Sequence, residues 1–160
     1  PGAGCYFQAR MGMTGTGVMD IRNQCSGFLY GIGTASAMVQ SGMYEHVLLV
    51  GSEIHSHALN LATEGRDVAV LFGDGAGAAV ISRATDDEAG EIKNVQLYAD
   101  GKYADSLCQK IWDISNKPYI QFEGEIGRVD PKMMWAQMNG REVFKYATRG
   151  MIGAVITRSS

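Results

Sequence analysis

Apolar and polar positions alternate along this chain in blocks that predict short strands, two long helices and tight turns. Residues 4–12 read as a short helix ended by glycine. Residues 16–22, centred on Val18-Met19-Asp20-Ile21, read as a strand, and residues 26–41 as a long helix of small and apolar side chains with no charge and no proline. Ser41-Gly42 closes that helix. The run His46-Val47-Leu48-Leu49-Val50-Gly51-Ser52 then predicts a strand buried on both faces. A polar excursion over residues 53–67 leads into the apolar run Val68-Ala69-Val70-Leu71-Phe72, which reads as a strand. The turn Gly73-Asp74-Gly75-Ala76-Gly77 feeds a further strand, Ala78-Ala79-Val80-Ile81-Ser82. The acidic stretch at residues 86–91 is the best internal boundary. Beyond it the pattern predicts a strand over 92–99, an irregular middle containing Pro118 and Pro131, and a helix over 138–156. Buried strands alternating with an apolar helix indicate an α/β layered architecture.

Composition narrows the function classes. The chain has 160 residues, 46% hydrophobic and 19% charged, which suits one ordered domain with a packed core. Its 21 glycines sit in short runs that mark turns and close backbone approaches, not a low-complexity tail. A net charge of -3 argues against a nucleic-acid binder built on bulk charge, so an anionic partner needs a local basic patch. Three cysteines, widely spaced and odd in number, form neither a disulfide framework nor a zinc pattern, and a reducing cytoplasm is the simplest compartment. No signal peptide and no apolar run long enough for a membrane span is evident. The abrupt ends, Pro1-Gly2 and Thr157-Arg158-Ser159-Ser160, read as those of an internal piece of a longer chain.

Cys25 carries the candidate chemistry. It stands between the strand-like segment and the small-residue helix, in Asp20-Ile21-Arg22-Asn23-Gln24-Cys25-Ser26-Gly27-Phe28. A thiol at a helix start faces unpaired backbone N–H groups and the positive end of the helix dipole, both of which favour a thiolate nucleophile. The bland alternative is a buried structural cysteine; Cys5 and Cys108 are read that way, as packing residues. A second signal is the spacing of Arg141, Lys145 and Arg149 at i, i+4 and i+8, which forms one basic stripe on a helix. It suits an acidic carrier or nucleotide phosphates, against the alternative of a solvated face partly neutralised by Glu142.

Two further patterns are weaker. Gly73-Asp74-Gly75-Ala76-Gly77-Ala78 fits a dinucleotide fingerprint, but that motif must open a helix, and here a strand follows. Glu53, His55 and His57 alternate so that a strand would place three metal donors on one face; the reading preferred is a polar loop with no metal. Asp113 and Glu123 read as loop charges.

Four stretches resemble one family: Cys25-Ser26-Gly27-Phe28 after Asp20-Ile21, Val50-Gly51-Ser52-Glu53, Phe72-Gly73-Asp74-Gly75-Ala76-Gly77-Ala78, and Met138-Asn139-Gly140-Arg141-Glu142-Val143-Phe144-Lys145. Their order and spacing are similar to those of the ketoacyl-acyl-carrier-protein synthase III group of thiolase-fold condensing enzymes, over nearly the whole chain. The resemblance implies a thiolase-like layered αβαβα fold, here incomplete. Residues 1–88 would be the latter part of the N-terminal half and residues 89–160 the start of the C-terminal half. It implies Cys25 as the acyl-accepting nucleophile of a ping-pong reaction, with its own N–H as one oxyanion donor, a contact worth about 3 kcal/mol.

The same resemblance gives Arg66 a place at the mouth of a coenzyme A tunnel, behind a loop about two residues longer than the family's. It places Phe72 and Gly140 along the acyl pocket and Met138 and Phe144 along the pantetheine arm. Arg141 departs from the family's small amide and would add a phosphate contact. Lys145, with Arg149 beside it on the stripe, would dock the carrier protein. Acyl-coenzyme A enters as a substrate, with no resident cofactor; the partners implied are acyl-coenzyme A, acyl carrier protein and a second copy in a homodimer, with no nucleic acid and no membrane. The family's triad histidine and asparagine fall at positions beyond residue 160. The implied function is a fatty-acid-type condensation of an acyl group with malonyl-carrier protein. Alternatives are a head-to-head, quinolone or polyketide condensation on the same nucleophile, or a non-catalytic truncated scaffold.

Overall fold

The computed structural model describes residues 2–85, 90–112 and 131–156. Most of the acidic boundary, together with Asp113, Pro118 and Glu123, lies outside the described residues. The chain divides into two compact units, Pro1–Gly51 with Gly77–Leu97, and Ser52–Ala76 with Tyr98–Ser160.

In the first unit, helix α1 (Ala3–Arg10) stops two residues short of the expected end, with the expected glycine closing the turn after it. Gly12 takes a left-handed φ of 66°, and its N–H donates to the Ala9 carbonyl at 3.2 Å. The start of α1 is held from outside the helix, because the Asp20 carboxylate accepts the Gly4 N–H at 2.9 Å. The expected strand over 16–22 is absent: those residues pair with no ladder among the described residues, and Val18, Met19 and Ile21 are exposed. Sequence pattern supplies the side-chain alternation of a strand but not the neighbour whose N–H and C=O groups complete it.

Helix α2 (Gly27–Gln40) buries Gly31, Ala35, Ser36 and Val39, one face at helical spacing. Two of its glycines lie directly against neighbouring side chains. A Cβ on Gly31 would lie 2.5 Å from Leu49 Cδ1, and one on Gly33 would lie 3.1 Å from Val95 Cγ1. The helix closes at Gly42 (φ 75°), with the Gly42 N–H on the Val39 carbonyl at 3.1 Å and the Met43 N–H on that of Met38 at 3.0 Å.

Strand β1 (His46–Glu53) pairs with a later strand, β2 (Gly75–Ser82). His46, the first residue of β1, bonds through Nδ1 to the hydroxyl of Ser82, the last of β2, at 2.9 Å, so the two run in opposite directions. The expectation of burial on both faces is corrected. Val47, Leu49 and Gly51 are half-buried while Leu48 and Val50 are exposed, because Leu49 meets α2 on one side. Residues 92–99 form no strand either, although Val95 and Leu97 approach Gly33.

In the second unit the polar excursion forms two single-turn 3-10 segments, His55–Ala58 and Thr63–Gly65. The run expected as a strand starts instead as helix α3 (Arg66–Ala69) and continues as a turn. Val68 and Ala69 are half-buried while Val70 and Leu71 are exposed, which is one helical turn rather than strand alternation. A further 3-10 turn, Gly101–Ser106, leads into strand β3 (Leu107–Cys108). Helix α4 (Pro131–Met134) starts with proline, where a missing N–H costs nothing. Strand β4 (Gln137–Met138) pairs antiparallel with β3, Leu107 opposite Met138 and Cys108 opposite Gln137.

Helix α5 (Gly140–Ile156) begins two residues later than expected, because Gln137 and Met138 are committed to β4. Asn139 caps it: its side-chain oxygen accepts the Glu142 N–H at 3.3 Å, and its N–H donates to the Ser106 carbonyl at 2.8 Å. Among the described residues, no helix is long and apolar enough to cross a membrane.

Candidate active site

Cys25 lies in the first unit, in the 3-10 turn Gln24–Ser26 that leads directly into α2. The thiol is free and exposed. The turn is built locally. The Ser26 N–H donates to the Asn23 carbonyl at 3.3 Å, the Gly27 N–H to that of Gln24, and the Asn23 amide donates to the Ser26 hydroxyl at 3.1 Å. Gln24 has a φ of 39°, the one non-glycine residue with positive φ among the described residues. A side chain in that region costs about 1–2 kcal/mol. The strain sits immediately before the cysteine, at a sharp turn that presents Cys25 at the head of α2, a helix buried along one face. Sequence pattern did not mark Gln24, since nothing distinguishes a strained glutamine from an ordinary one before its backbone is seen.

Phe28, next along α2, packs near Gly51, where a Cβ would lie 2.9 Å from its ring, so β1 is held close beneath the first turn. A cleft of about 460 Å³ in this unit is lined by Gly42, Tyr44, Glu45, His46 and Arg83, at the opposite end of α2 from Cys25.

The other candidates all lie in the second unit. Arg66 opens α3, exposed, with its guanidinium 3.7 Å from the equally exposed Asp67 carboxylate. Phe72 is half-buried and stacks on His55, ring centroids 5.1 Å apart. The His55 Nδ1 lies 3.1 Å from the Gly73 carbonyl and 4.0 Å from the Glu53 carboxylate. Asp74 completes this knot by accepting the Ser56 N–H and the Ser56 hydroxyl, both at 2.8 Å. Those bonds, the backbone one foremost, hold the Asp74 carboxyl below its ordinary range. The excursion is therefore tied to the glycine turn by His55, Ser56, Phe72 and Asp74. Strand β2 begins at Gly75, so the turn opens a strand and not the helix that a dinucleotide site needs.

Met138 is half-buried in β4, with its Cε 3.5 Å from where a Gly140 Cβ would stand. Gly140 and Arg141 form the first turn of α5 and are exposed, as are Phe144, Lys145 and Arg149 further along it. The basic stripe therefore sits on one helix in the open. Glu142 does not neutralise it: its carboxylate is half-buried and accepts a short hydrogen bond from the Ser106 hydroxyl. Asn139 caps the Glu142 N–H three residues on, a signal legible in Asn139-Gly140-Arg141-Glu142.

Residues 19–101 match the family described as 3-Oxoacyl-[acyl-carrier-protein (ACP)] synthase III. The chain belongs to the synthase III family. It is 35% identical over 155 residues to the beta-ketoacyl-[acyl-carrier-protein] synthase III of Acidiphilium cryptum, covering 97% of this chain and 43% of that one. Synthase III relatives are thus matched over less than half of their length. Among solved structures it is similar to the synthase III of Thermus thermophilus, with TM-score 0.69 and 31% identity, over 93% of this chain and 42% of that one. It is also similar to the priming beta-ketosynthase of a polyketide biosynthetic pathway, with TM-score 0.69 and 28% identity, over 94% and 41% of the two chains. The mixed α/β elements accordingly match a portion of the thiolase-like synthase III fold. The stretch matched to the family contains Cys25, Arg66 and Phe72.

Proposed function

We propose that this chain is the acyl-accepting part of a fatty-acid-type condensing acyltransferase. The Cys25 thiolate attacks the carbonyl of an acyl-coenzyme A thioester; the new C–S bond forms as the bond to the coenzyme's sulfur breaks, and coenzyme A leaves as its thiol. A malonyl-carrier thioester then loses CO2, its carbanion attacks the acyl-cysteine carbonyl, and Cys25 departs free. Coenzyme A is a substrate and no resident cofactor takes part.

The observation that carries this reading is the exposed Cys25 on a strained turn at the head of a small-residue helix, within a stretch matched to the synthase III family. In this reading Arg66 and Arg141 hold the nucleotide end. Phe72 and Gly140 bound the acyl chain, Met138 and Phe144 follow the pantetheine arm, and Lys145 and Arg149 receive the carrier. Residues 1–88 and 89–160 belong to the two halves of the family fold. The working protein is a cytoplasmic homodimer, and the histidine and asparagine that drive decarboxylation come from outside these positions. Acylation is consequently the half-reaction to test on this chain.

Incubation with radiolabelled acyl-coenzyme A should place one acyl group on Cys25, seen by intact mass and peptide mapping. Cys25→Ala should abolish it with the circular dichroism unchanged. A folded chain that takes no label overturns the reading and leaves the scaffold alternative. The likeness to a priming ketosynthase favours a second reading, in which the same acyl-cysteine starts a polyketide. In a protein that also supplies the histidine and asparagine, turnover that requires malonyl-carrier protein of fatty-acid type separates the two.

A further inference from the structure

Two tyrosines and two lysines meet beside the basic stripe. Tyr103, in the Gly101–Ser106 turn, and Tyr146, on α5, lie with ring centroids 3.8 Å apart. The Lys102 ammonium sits 4.7 Å from the Tyr103 ring centre and the Lys145 ammonium 5.5 Å from that of Tyr146, both within cation–π reach. The nearby carboxylates are engaged: Asp100 with Lys102 at 2.8 Å, Asp105 with Lys110 at 3.6 Å, and Glu142 with the Ser106 hydroxyl. Among the described residues no ion pair joins Arg141, Lys145 or Arg149 to a carboxylate. The hydrogen bond from Tyr146 raises the Tyr103 hydroxyl above its ordinary value.

A free lysine is a poor docking group, because its long stem loses rotamer freedom on binding. A ring under the ammonium removes part of that loss beforehand. The turn thus adds to α5 a further cation and a ring packed at a tilt against the Tyr146 ring beneath Lys145.

We propose that the Gly101–Ser106 turn is the second wall of the carrier-docking surface, with Lys102 touching the acidic carrier and Tyr103, through its stack on Tyr146, positioning Lys145. This inference rests on the carrier-docking reading of α5. Acidic carrier protein is the occupant because charge complementarity selects it: four cations stand on this surface, while Asp100 and Asp105 pair with Lys102 and Lys110 and leave the stripe itself uncompensated.

The test measures the affinity of the full chain for fluorescently labelled holo acyl carrier protein at two salt concentrations. Lys145→Gln should weaken binding about threefold to fivefold and flatten the salt dependence. Lys102→Gln should weaken it about twofold with the same flattening. Tyr103→Ala should weaken it about twofold in the native background and not at all in the Lys145→Gln background, while Tyr103→Phe, which keeps the stack, should retain most of the affinity. Carrier binding unaffected by Lys145→Gln overturns the docking reading and this inference with it. Lys145→Gln weakening binding while Lys102→Gln does nothing, or Tyr103→Ala weakening both backgrounds equally, overturns the inference alone.

Discussion

The unit that carries Cys25 and the unit that carries the other candidate residues are positioned by different physics. Around α2 the means are steric. Gly31 and Gly33 let Leu49 and Val95 approach the helix backbone, Gly51 leaves room for Phe28, and the buried apolar side chains are Ala35 and Val39. In the second unit the means are polar. Ser56 binds Asp74, His55 binds the Gly73 carbonyl, Asn139 caps α5, and Ser106 draws Glu142 inward. Close packing fixes the helix that follows the Cys25 turn, and added volume at Gly31 or Gly33 forces a neighbour to move. A network of exposed hydrogen bonds places loops and helix starts, and each member can be removed for a modest cost.

Overfilling the steric unit should give the largest effect. Gly31→Leu drives a side chain into Leu49 and should destabilise the chain by about 1–3 kcal/mol in thermal unfolding, despite the better helix propensity of leucine. Adding Leu49→Ala should recover part of that loss; a strictly additive double variant would show that the contact does not hold the two elements. The polar unit should yield less per change. Asn139→Ala should cost about 1 kcal/mol and shorten α5 by helical circular dichroism, whereas Asn139→Asp should keep the cap and its stability.

The smallest effect concerns Asp74. Its carboxyl is held below the ordinary range by Ser56, so the stabilisation is full above the ordinary carboxylate value and disappears as pH falls through the lowered one. The Ser56 amide resonance should follow that acid transition and lose it in Asp74→Asn. An amide shift unchanged down to the acid limit would break the assignment of polar control to this loop.

Legibility in the sequence divides along the same line. The small-residue helix, the glycine that ends α1, the turn into β2 and the basic stripe on α5 were all readable, because each is a local pattern of side-chain size, charge or turn chemistry. The strands expected over 16–22 and 92–99 were not found, and the one expected over 68–72 begins as a helix, because a strand depends on a neighbour that its own residues do not specify. Of the candidate site, residue types and spacing marked Cys25 and the stripe. They were silent on the left-handed Gln24, the inward turn of Glu142 and the Tyr103–Tyr146 stack.

The sequence by itself determined the two long helices, the turns that glycine closes, and which residues carry a thiol or a cation, since these follow from each residue's own volume, charge and backbone freedom. Only the tertiary structure decided that Glu142 leaves the stripe bare and that two lysines share one pair of packed tyrosine rings. Those outcomes depend on Ser106 and Tyr103 arriving from about 40 residues away, and contacts between segments so distant are fixed by packing rather than by local pattern.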